Sequence, residues 1–556
     1  MVQHCLSHHS CSDNTRVSPV LPTRALYIGD GLDNVHLVEG GGKRARYICL
    51  SHCWGGVQPL KTTLSNVHHH LKSIPWAAIP RLFQDALLVT ERLGVSYVWI
   101  DSLCIIQDDV ADWVRESKTM SDVYENAHVT ISAASAQDSR SAMIEPSRNN
   151  PRAQIMEGIN ATGSSYSYKL FPTPPAPSGM HLGPKSTAED LRTGFPLFGR
   201  AWAFQERMLS PRVLHFTREE LVFECKKNTV CECGQVEHMG RNLGYYNTLL
   251  TGSPEELQVL WHETVSSYSR LSLSFGTDKL PALSGLAQRF SRRQPEARYL
   301  AGAWDTSLLP DLLWWNEPDD PIPLAHKGHS EAITIAPSWS WAASNTVVKF
   351  ATRSTHRWVT PYGAKKSFYY PRKYVEIRSA DCHLATADPT GQVTGGQLIV
   401  SGRLFQAKMW KHPANTFATV AVEPSGLTAG GPNVPWLPPR FYHDVPRPRW
   451  ASASSFSREE DLFCLPLARA GCLLVESNGR VMGRDETEFA VILESCSQVI
   501  IKGSGNWKEP REGDCYRRIG MVLVGTGVPR HDVEDYWSKN PSPFEFGGEE
   551  KTITII

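Results

Sequence analysis

Two short apolar runs early in the chain each end in a residue able to hold a ligand. Tyr47–Leu50 runs into Ser51, and Tyr97–Ile100 runs into Asp101. A hydroxyl and a carboxylate there can bind ribose or phosphate-side hydroxyls, although a carboxylate too close to a pyrophosphate would repel it. Trp54, Trp99 and Trp202 offer flat faces for stacking on a ring. Arg200 carries a fork that suits a phosphate held by two parallel bonds. Trp202 and Glu206 stand four residues apart, which puts an indole and a carboxylate on one face of a helix. Each of these has a plainer reading. Ser51 can be a turn-forming hydroxyl, and Asp101 can cap the Cys104–Asp109 loop by accepting backbone N–H bonds. Arg200 can pair with a nearby carboxylate, and Glu206 can pair with Arg200 or Arg207 or face solvent.

Other groupings are weaker. Cys225, Cys231 and Cys233 with His238 suggest zinc, but the spacing does not form paired C-x2-C knuckles and a fourth ligand is not secured. His4, Cys5, His8, His9 and Cys11 read as part of a solvated tail, and His68-His69-His70 as a loop, so no metal site is expected. Cys104 has no base within its motif to activate it. Gly40-Gly41-Gly42-Lys43 lacks the spacing of a phosphate loop, and Arg44 stands where the magnesium-binding hydroxyl belongs. A Ser-His-Asp hydrolase would need a G-x-S-x-G elbow, which is not found.

The elements that must position Ser51 and Asp101 follow an α/β pattern. Tyr47–Leu50 and Tyr97–Ile100 read as buried strands, and Val129–Ala134 as a third. Leu82, Ala86, Val89 and Leu93 fall on one helical face that Gly94 ends. Trp113, Met120, Tyr124 and Ala127 form a second helical stripe. Strand and helix in alternation imply a parallel sheet, whose ligands bind beyond the carboxyl ends of the strands. Residues 24–50 suggest short strands with glycine turns, and 146–196 an irregular Pro-rich insertion. Trp202, Glu206 and Leu209 sit on a short helix ended near Pro211. Residues 1–23 read as a flexible tail, 24–216 as the first domain with its core at 45–216, and 217–556 as a mixed α+β companion region. Within the latter, helices are expected near 254–271 and 278–293, strands near 398–405, 490–493 and 520–524, and a Pro-rich loop at 424–448. The tryptophans at 314–315 and 339–341 read as packing.

Composition narrows the class. The 556 residues carry 57 basic and 57 acidic side chains, so the charge surplus that a general nucleic-acid binder needs is missing. With no apolar run near 18 residues and no signal-type start, a soluble, cytoplasmic protein is expected. Thirteen cysteines are too sparse for a secreted disulfide scaffold.

Four segments in order resemble the fungal heterokaryon-incompatibility (HET) family. They are YICLSHCWG at 47–55, WIDSLCIIQD at 99–108, MSDVYENAHVTISAA at 120–134 and RAWAFQERMLSPRVLHF at 200–216. His52 departs from the pattern, since the family usually carries Tyr there. A weaker resemblance to the usual companion region runs through 278–287, 299–315 and 336–343. The HET domain is in turn remotely similar to TIR domains, which implies a TIR-like parallel sheet flanked by helices. TIR enzymes that cleave NAD carry a glutamate four residues after a Trp, like Trp202 and Glu206 here. The resemblance implies self/non-self recognition leading to fungal cell death, with a protein partner and possible self-association. NAD would be a substrate and not a cofactor, with Glu206 catalytic and Ser51, Trp54, Asp101, Arg200 and Trp202 lining the site. A non-enzymatic signalling adaptor and a fold recruited to secondary-metabolite biosynthesis stay open as alternatives.

Overall fold

In a computed structural model, the described residues are 1–11, 18–56, 59–144, 154–159, 165–170, 194–218, 220–232, 237–239, 241–316, 336–351, 365–411, 418–423, 440–443, 462–475, 481–495, 515–525 and 549–556. The chain forms two units. One comprises Met1–Thr251, Leu271–Leu273 and Pro281–Leu286, and the other Gly252–Arg270, Ser274–Leu280 and Ala287–Ile556.

The first unit is organised by three four-residue strands whose residues are all buried: β3 (Ile48–Ser51), β4 (Tyr97–Ile100) and β5 (Val129–Ser132). Burial on both faces is why β3 and β4 read as near-continuous apolar runs; β5 alternates, and its Thr130 and Ser132 hydroxyls are buried on Ser210 and His215. Strand β3 lies between β4 and β5 and is parallel to both, and β8 (Arg212–Phe216) adds in parallel beyond β5. The expected parallel sheet is therefore the centre of a larger mixed one. Two strands, β1 (Arg24–Tyr27) and β2 (His36–Glu39), extend it antiparallel from β4. On the other side β9 (Leu221–Cys225), β10 (Asn228–Cys231) and β11 (Glu237–Met239) continue antiparallel from β8. A separate hairpin, β6 (Gln154–Ile159) with β7 (Ser165–Leu170), lies within the stretch expected to be irregular. The rest of that Pro-rich stretch, apart from 194–196, and most of 424–448 lie outside the described residues.

The connections are helical. A helix α1 spans Val2–His8, within the stretch that composition assigns to a tail. The histidine triplet belongs to a one-turn helix α2 (Val67–His70) instead of a loop, with His70 buried and its Nδ1 2.9 Å from Thr62 Oγ1. Helix α3 (Arg81–Arg92) joins β3 to β4, buries Leu82, Phe83, Ala86 and Leu87, and gives way at Gly94, whose φ of 68° suits glycine. A single turn α4 (Asp101–Cys104) follows β4 directly. Helix α5 (Val110–Glu125) is capped by Asp109, whose carboxylate accepts from the N–H groups of Ala111 and Asp112. Arg24 on β1 ties to this helix through Asp112 and donates from Nε to Cys104 O at 2.8 Å. Helix α6 (Ala201–Leu209) follows β7 in the chain and leads into β8.

The second unit combines helix Pro254–Tyr268 with a β-structure that is antiparallel except where Cys515–Gly525 pairs in parallel with Glu549–Ile555. Strands Leu462–Val475, Val481–Ser495, Cys515–Gly525, Glu549–Ile555 and Val393–Lys411 pair in succession, and Val393–Lys411 pairs back on Leu462–Val475 to close a five-membered ring. Leu398, Val400, Leu404, Leu465, Leu467, Leu493 and Ile553 belong to one buried core. The tryptophans expected to be packing are buried. Trp314 Nε1 donates to Trp339 O at 3.0 Å, and Trp341 Nε1 to Gly302 O at 2.8 Å, so these two indoles are satisfied inside the core. No helix among the described residues is long and apolar enough to cross a membrane.

Candidate functional site

The chain leaves β3 for β4 on one side of it and returns to β5 on the other. Connections that depart in opposite directions open a crevice at the carboxyl ends of the strands, the place where open α/β sheets take ligands. Ser51 is the last residue of β3 and stands in register with Ser132, the last residue of β5. Both hydroxyls therefore lie at that point.

Helix α6 brings Glu206 to the same place. Ser51 Oγ donates to Glu206 Oε2, a bond spanning 155 positions of sequence. Glu206 is 5% exposed. Burial raises its carboxyl to about 7, a change that the Ser51 hydroxyl and the positive charge of Arg200 only partly oppose and that Asp101 reinforces. Tyr124 of α5 lies beside the Glu206 carboxyl, and its single hydroxyl proton, which donates to Leu50 O at 3.3 Å, is also within reach of that carboxylate as an alternative acceptor. At neutral pH Glu206 is thus poised between its acid and base forms. None of the described ion pairs includes it, so the ion-pair reading does not hold. Arg207, the next residue, instead donates from Nε to Glu224 Oε2 at 2.7 Å.

Asp101 opens α4 and is held from two sides. Its Oδ1 accepts from Ser102 N at 2.7 Å, and its Oδ2 accepts from Trp54 Nε1 at 2.8 Å. The backbone N–H that its carboxylate accepts belongs to Ser102, outside the Cys104–Asp109 loop it was expected to cap, and the other oxygen fixes the orientation of the half-buried indole. His52 Nδ1 lies 3.8 Å from Asp101 Oδ1. Burial lowers the His52 imidazole to about 4, so it is neutral at pH 7, and its ring packs edge-on to Phe83 at 5.0 Å. Arg200 donates from Nη1 to the His52 carbonyl, which uses part of its fork on backbone. Trp202 lies half-buried one turn before Glu206 on α6.

The structure therefore joins Ser51 with Glu206 and Trp54 with Asp101, and ties Arg200 to the loop after β3. Two neighbours, Tyr124 and His52, were not among the candidate site residues, although His52 stood out as the departure from the family pattern. Tyr124 was visible as one member of an apolar helical stripe, and a hydroxyl in such a stripe was the available signal. A second polar chain was not foreseen at all. His215 Nδ1 lies 2.9 Å from Ser132 Oγ, and His215 Nε2 lies 3.0 Å from Glu224 Oε2. The guanidinium of Arg207 and the imidazole hold the Glu224 carboxyl well below the usual range against the opposing effect of burial. His215 is pushed down by burial, so Nε2–H donates to Glu224 and Nδ1 accepts from Ser132. This hydrogen-bonded chain runs from Ser132 at the end of β5 through His215 of β8 to Glu224 of β9 and locks the three strands together.

No curated protein and no solved structure matches the chain. Residues 47–206, which include Ser51, Trp54, Asp101, Arg200, Trp202 and Glu206, match the family model described as Heterokaryon incompatibility protein (HET), so this stretch is a HET domain and suggests a function of the heterokaryon-incompatibility type.

Proposed function

We propose that the HET domain is a nucleotide-cleaving effector that splits the nicotinamide–ribose bond of NAD or a related nucleotide, in the service of self/non-self recognition ending in cell death. The observation that carries this reading is the buried Ser51–Glu206 bond at the carboxyl ends of the parallel strands, with Trp202 one helical turn before the carboxylate. The chemistry asks for little more. The nicotinamide nitrogen is already cationic, so the bond breaks with its electron pair passing to the ring and no general acid is required. The anomeric carbon takes on oxocarbenium character, which an adjacent carboxylate stabilises. Water then forms the new bond to that carbon and gives up a proton. Glu206, in its ionised form, stabilises the developing positive charge. Ser51 holds one carboxylate oxygen in place, while Trp54, fixed by Asp101, offers a stacking face. A TIR-like relationship is supported by the order of the parallel strands, in which the first in the chain lies between the second and third.

The test is nicotinamide release from NAD by concentrated purified protein, wild type beside Glu206→Ala, with folding of both checked by circular dichroism. Release that vanishes in a folded Glu206→Ala protein is the expected result. Equal release from both would remove Glu206 from the chemistry. Release from neither, even under crowding, would favour a signalling adaptor that works through its surfaces.

A further inference from the structure

We infer that Cys5, His9, Cys11 and Cys225 form a zinc site that staples the segment 2–11 onto the edge of the HET-domain sheet. Helix α1 carries Cys5, and the chain turns to extended backbone at His9, with φ −121° and ψ 133°. That turn returns Cys11 to Cys5, their sulfurs 3.7 Å apart. From the far side Cys225, the last residue of β9, brings its Sγ to 3.4 Å from His9 Nδ1. All four potential ligand atoms lie within 4.8 Å of one another. The three cysteines are 0%, 1% and 2% exposed.

These distances match a tetrahedron. Zinc–sulfur bonds of about 2.3 Å and zinc–nitrogen bonds of about 2.0–2.1 Å give edges of roughly 3.8 Å between sulfurs and roughly 3.6 Å between sulfur and nitrogen. A disulfide needs sulfurs about 2.05 Å apart and would still leave a third buried thiol and an imidazole converging on one point. The ligand set of three thiolates and one imidazole suits zinc, and four protein ligands leave no open position, as in a structural site. An outer-shell contact is also present, since the backbone N–H of Asn228 donates to Cys225 Sγ at 3.3 Å. No metal site is expected from the sequence, where the spacing of Cys225, Cys231, Cys233 and His238 falls short; the ligands that converge on Cys225 come from up to 216 positions away, in the case of His9. Cys233 lies outside the described residues.

Placement gives the site a consequence. Cys225 follows Glu224, which holds Arg207 beside Glu206. A metal at Cys225 would fix the end of β9 and with it the anchor of α6.

Zinc content is read independently of any nucleotide cleavage. The full chain, expressed with zinc in the medium, is purified without chelator and measured by elemental mass spectrometry. About one zinc per chain is expected, falling to background in Cys5→Ser and in Cys225→Ser and unchanged in Cys382→Ser. Should those variants fail to fold, cobalt exchanged into the wild type is the second measurement. Intense tetrahedral d–d bands with thiolate-to-cobalt charge transfer support the site, and a weak octahedral spectrum overturns it. Wild-type protein without zinc, a Cys5–Cys11 disulfide in the intact mass, or full zinc retained by the Cys5/Cys11/Cys225→Ser variant would each refute it.

Discussion

Replacing Glu206 by glutamine is expected to stabilise the protein while abolishing nicotinamide release. An ordinary glutamate titrates near 4.5, whereas burial raises Glu206 to about 7. At about 1.4 kcal/mol per pH unit of displacement, the ionised carboxylate costs the fold about 3 kcal/mol. The sign follows from proton binding. Between pH 4.5 and 7 the folded state holds a proton on Glu206 that the unfolded state has released, so stability falls as pH rises through this window. The cost is absent below 4.5 and complete above 7. Glutamine has nearly the same shape, keeps an oxygen for the Ser51 hydroxyl and never ionises. The Glu206→Gln protein should therefore match the wild type near pH 4.5 and exceed it at pH 8. In a unit of about 250 residues, 3 kcal/mol corresponds to a rise of roughly 6–12 °C in its melting transition. Differential scanning calorimetry of the full chain at pH 5 and pH 8, wild type beside variant, reads the gap. A variant less stable at pH 8, or a gap that does not change with pH, would refute the reasoning, because either result would mean that the ionised carboxylate is stabilising where it stands.

Four other outcomes follow from the same geometry. Ser51→Ala removes the hydroxyl that holds the Glu206 carboxyl down, so the acidic limb of nicotinamide release should move to higher pH; an unchanged profile would exclude Ser51 from the site. Glu224→Ala should destabilise the first unit by about 3 kcal/mol, because it strands a buried imidazole and the Arg207 guanidinium. In the wild type that contribution is present at neutral pH and is lost as pH falls below the usual glutamate range, which denaturant titrations at pH 7 and pH 4 would register. Gly285→Ala would put a methyl 2.5 Å from Ser121 Cβ and 2.9 Å from Leu209 Cδ1; a loss of about 1–3 kcal/mol is expected, with reduced nicotinamide release because Gln205 of α6 accepts from Gly285 N. Gly302→Ala meets the Trp341 indole nitrogen at 2.3 Å in a backbone of φ 101°, and should lower the melting transition of the second unit.

Much of the fold was legible because it is written in local periodicity. Tyr47–Leu50 and Tyr97–Ile100 are unbroken apolar runs because they are buried on both faces, Val129–Ser132 is marked by its β-branched residues, and the helices between them show their stripes. Ser51 and Asp101 were legible as candidates, placed at the ends of such strands, because that is where ligands go. Glu206 was legible through its helical spacing from Trp202. What sequence could not supply is pairing across distance. The bond from Ser51 to Glu206 spans 155 positions, and no pattern within either segment encodes it. The antiparallel strands added at both edges of the sheet are short, and although strands were expected within 24–50, nothing local showed that they and β9–β11 join the parallel sheet. The convergence of Cys5, His9 and Cys11 on Cys225 is hidden from the sequence for the same reason: spacing sets Cys225 near Cys231 and Cys233, whereas the turn after α1 brings the N-terminal residues to it in space.

The contrast between two buried glutamates supports reading Glu206 as chemistry and Glu224 as structure. Both are nearly inaccessible, at 5% and 2% exposure. Glu224 receives a guanidinium and an imidazole within 3.0 Å, and its carboxyl is held low. Glu206 receives a neutral hydroxyl from Ser51, and its carboxyl is held high. The cation nearest in sequence, Arg207, is spent on Glu224, and Arg200 is turned onto the His52 carbonyl. A carboxylate recruited only for stability would take the bonding partner that stands beside it in the chain. Environments that drive two neighbouring carboxyls to opposite ends of their range are the usual way a fold separates a titrating group from a permanent charge. Leaving Glu206 without a bonded cation also leaves its charge available to a cationic transition state, which is the use the proposed reaction has for it.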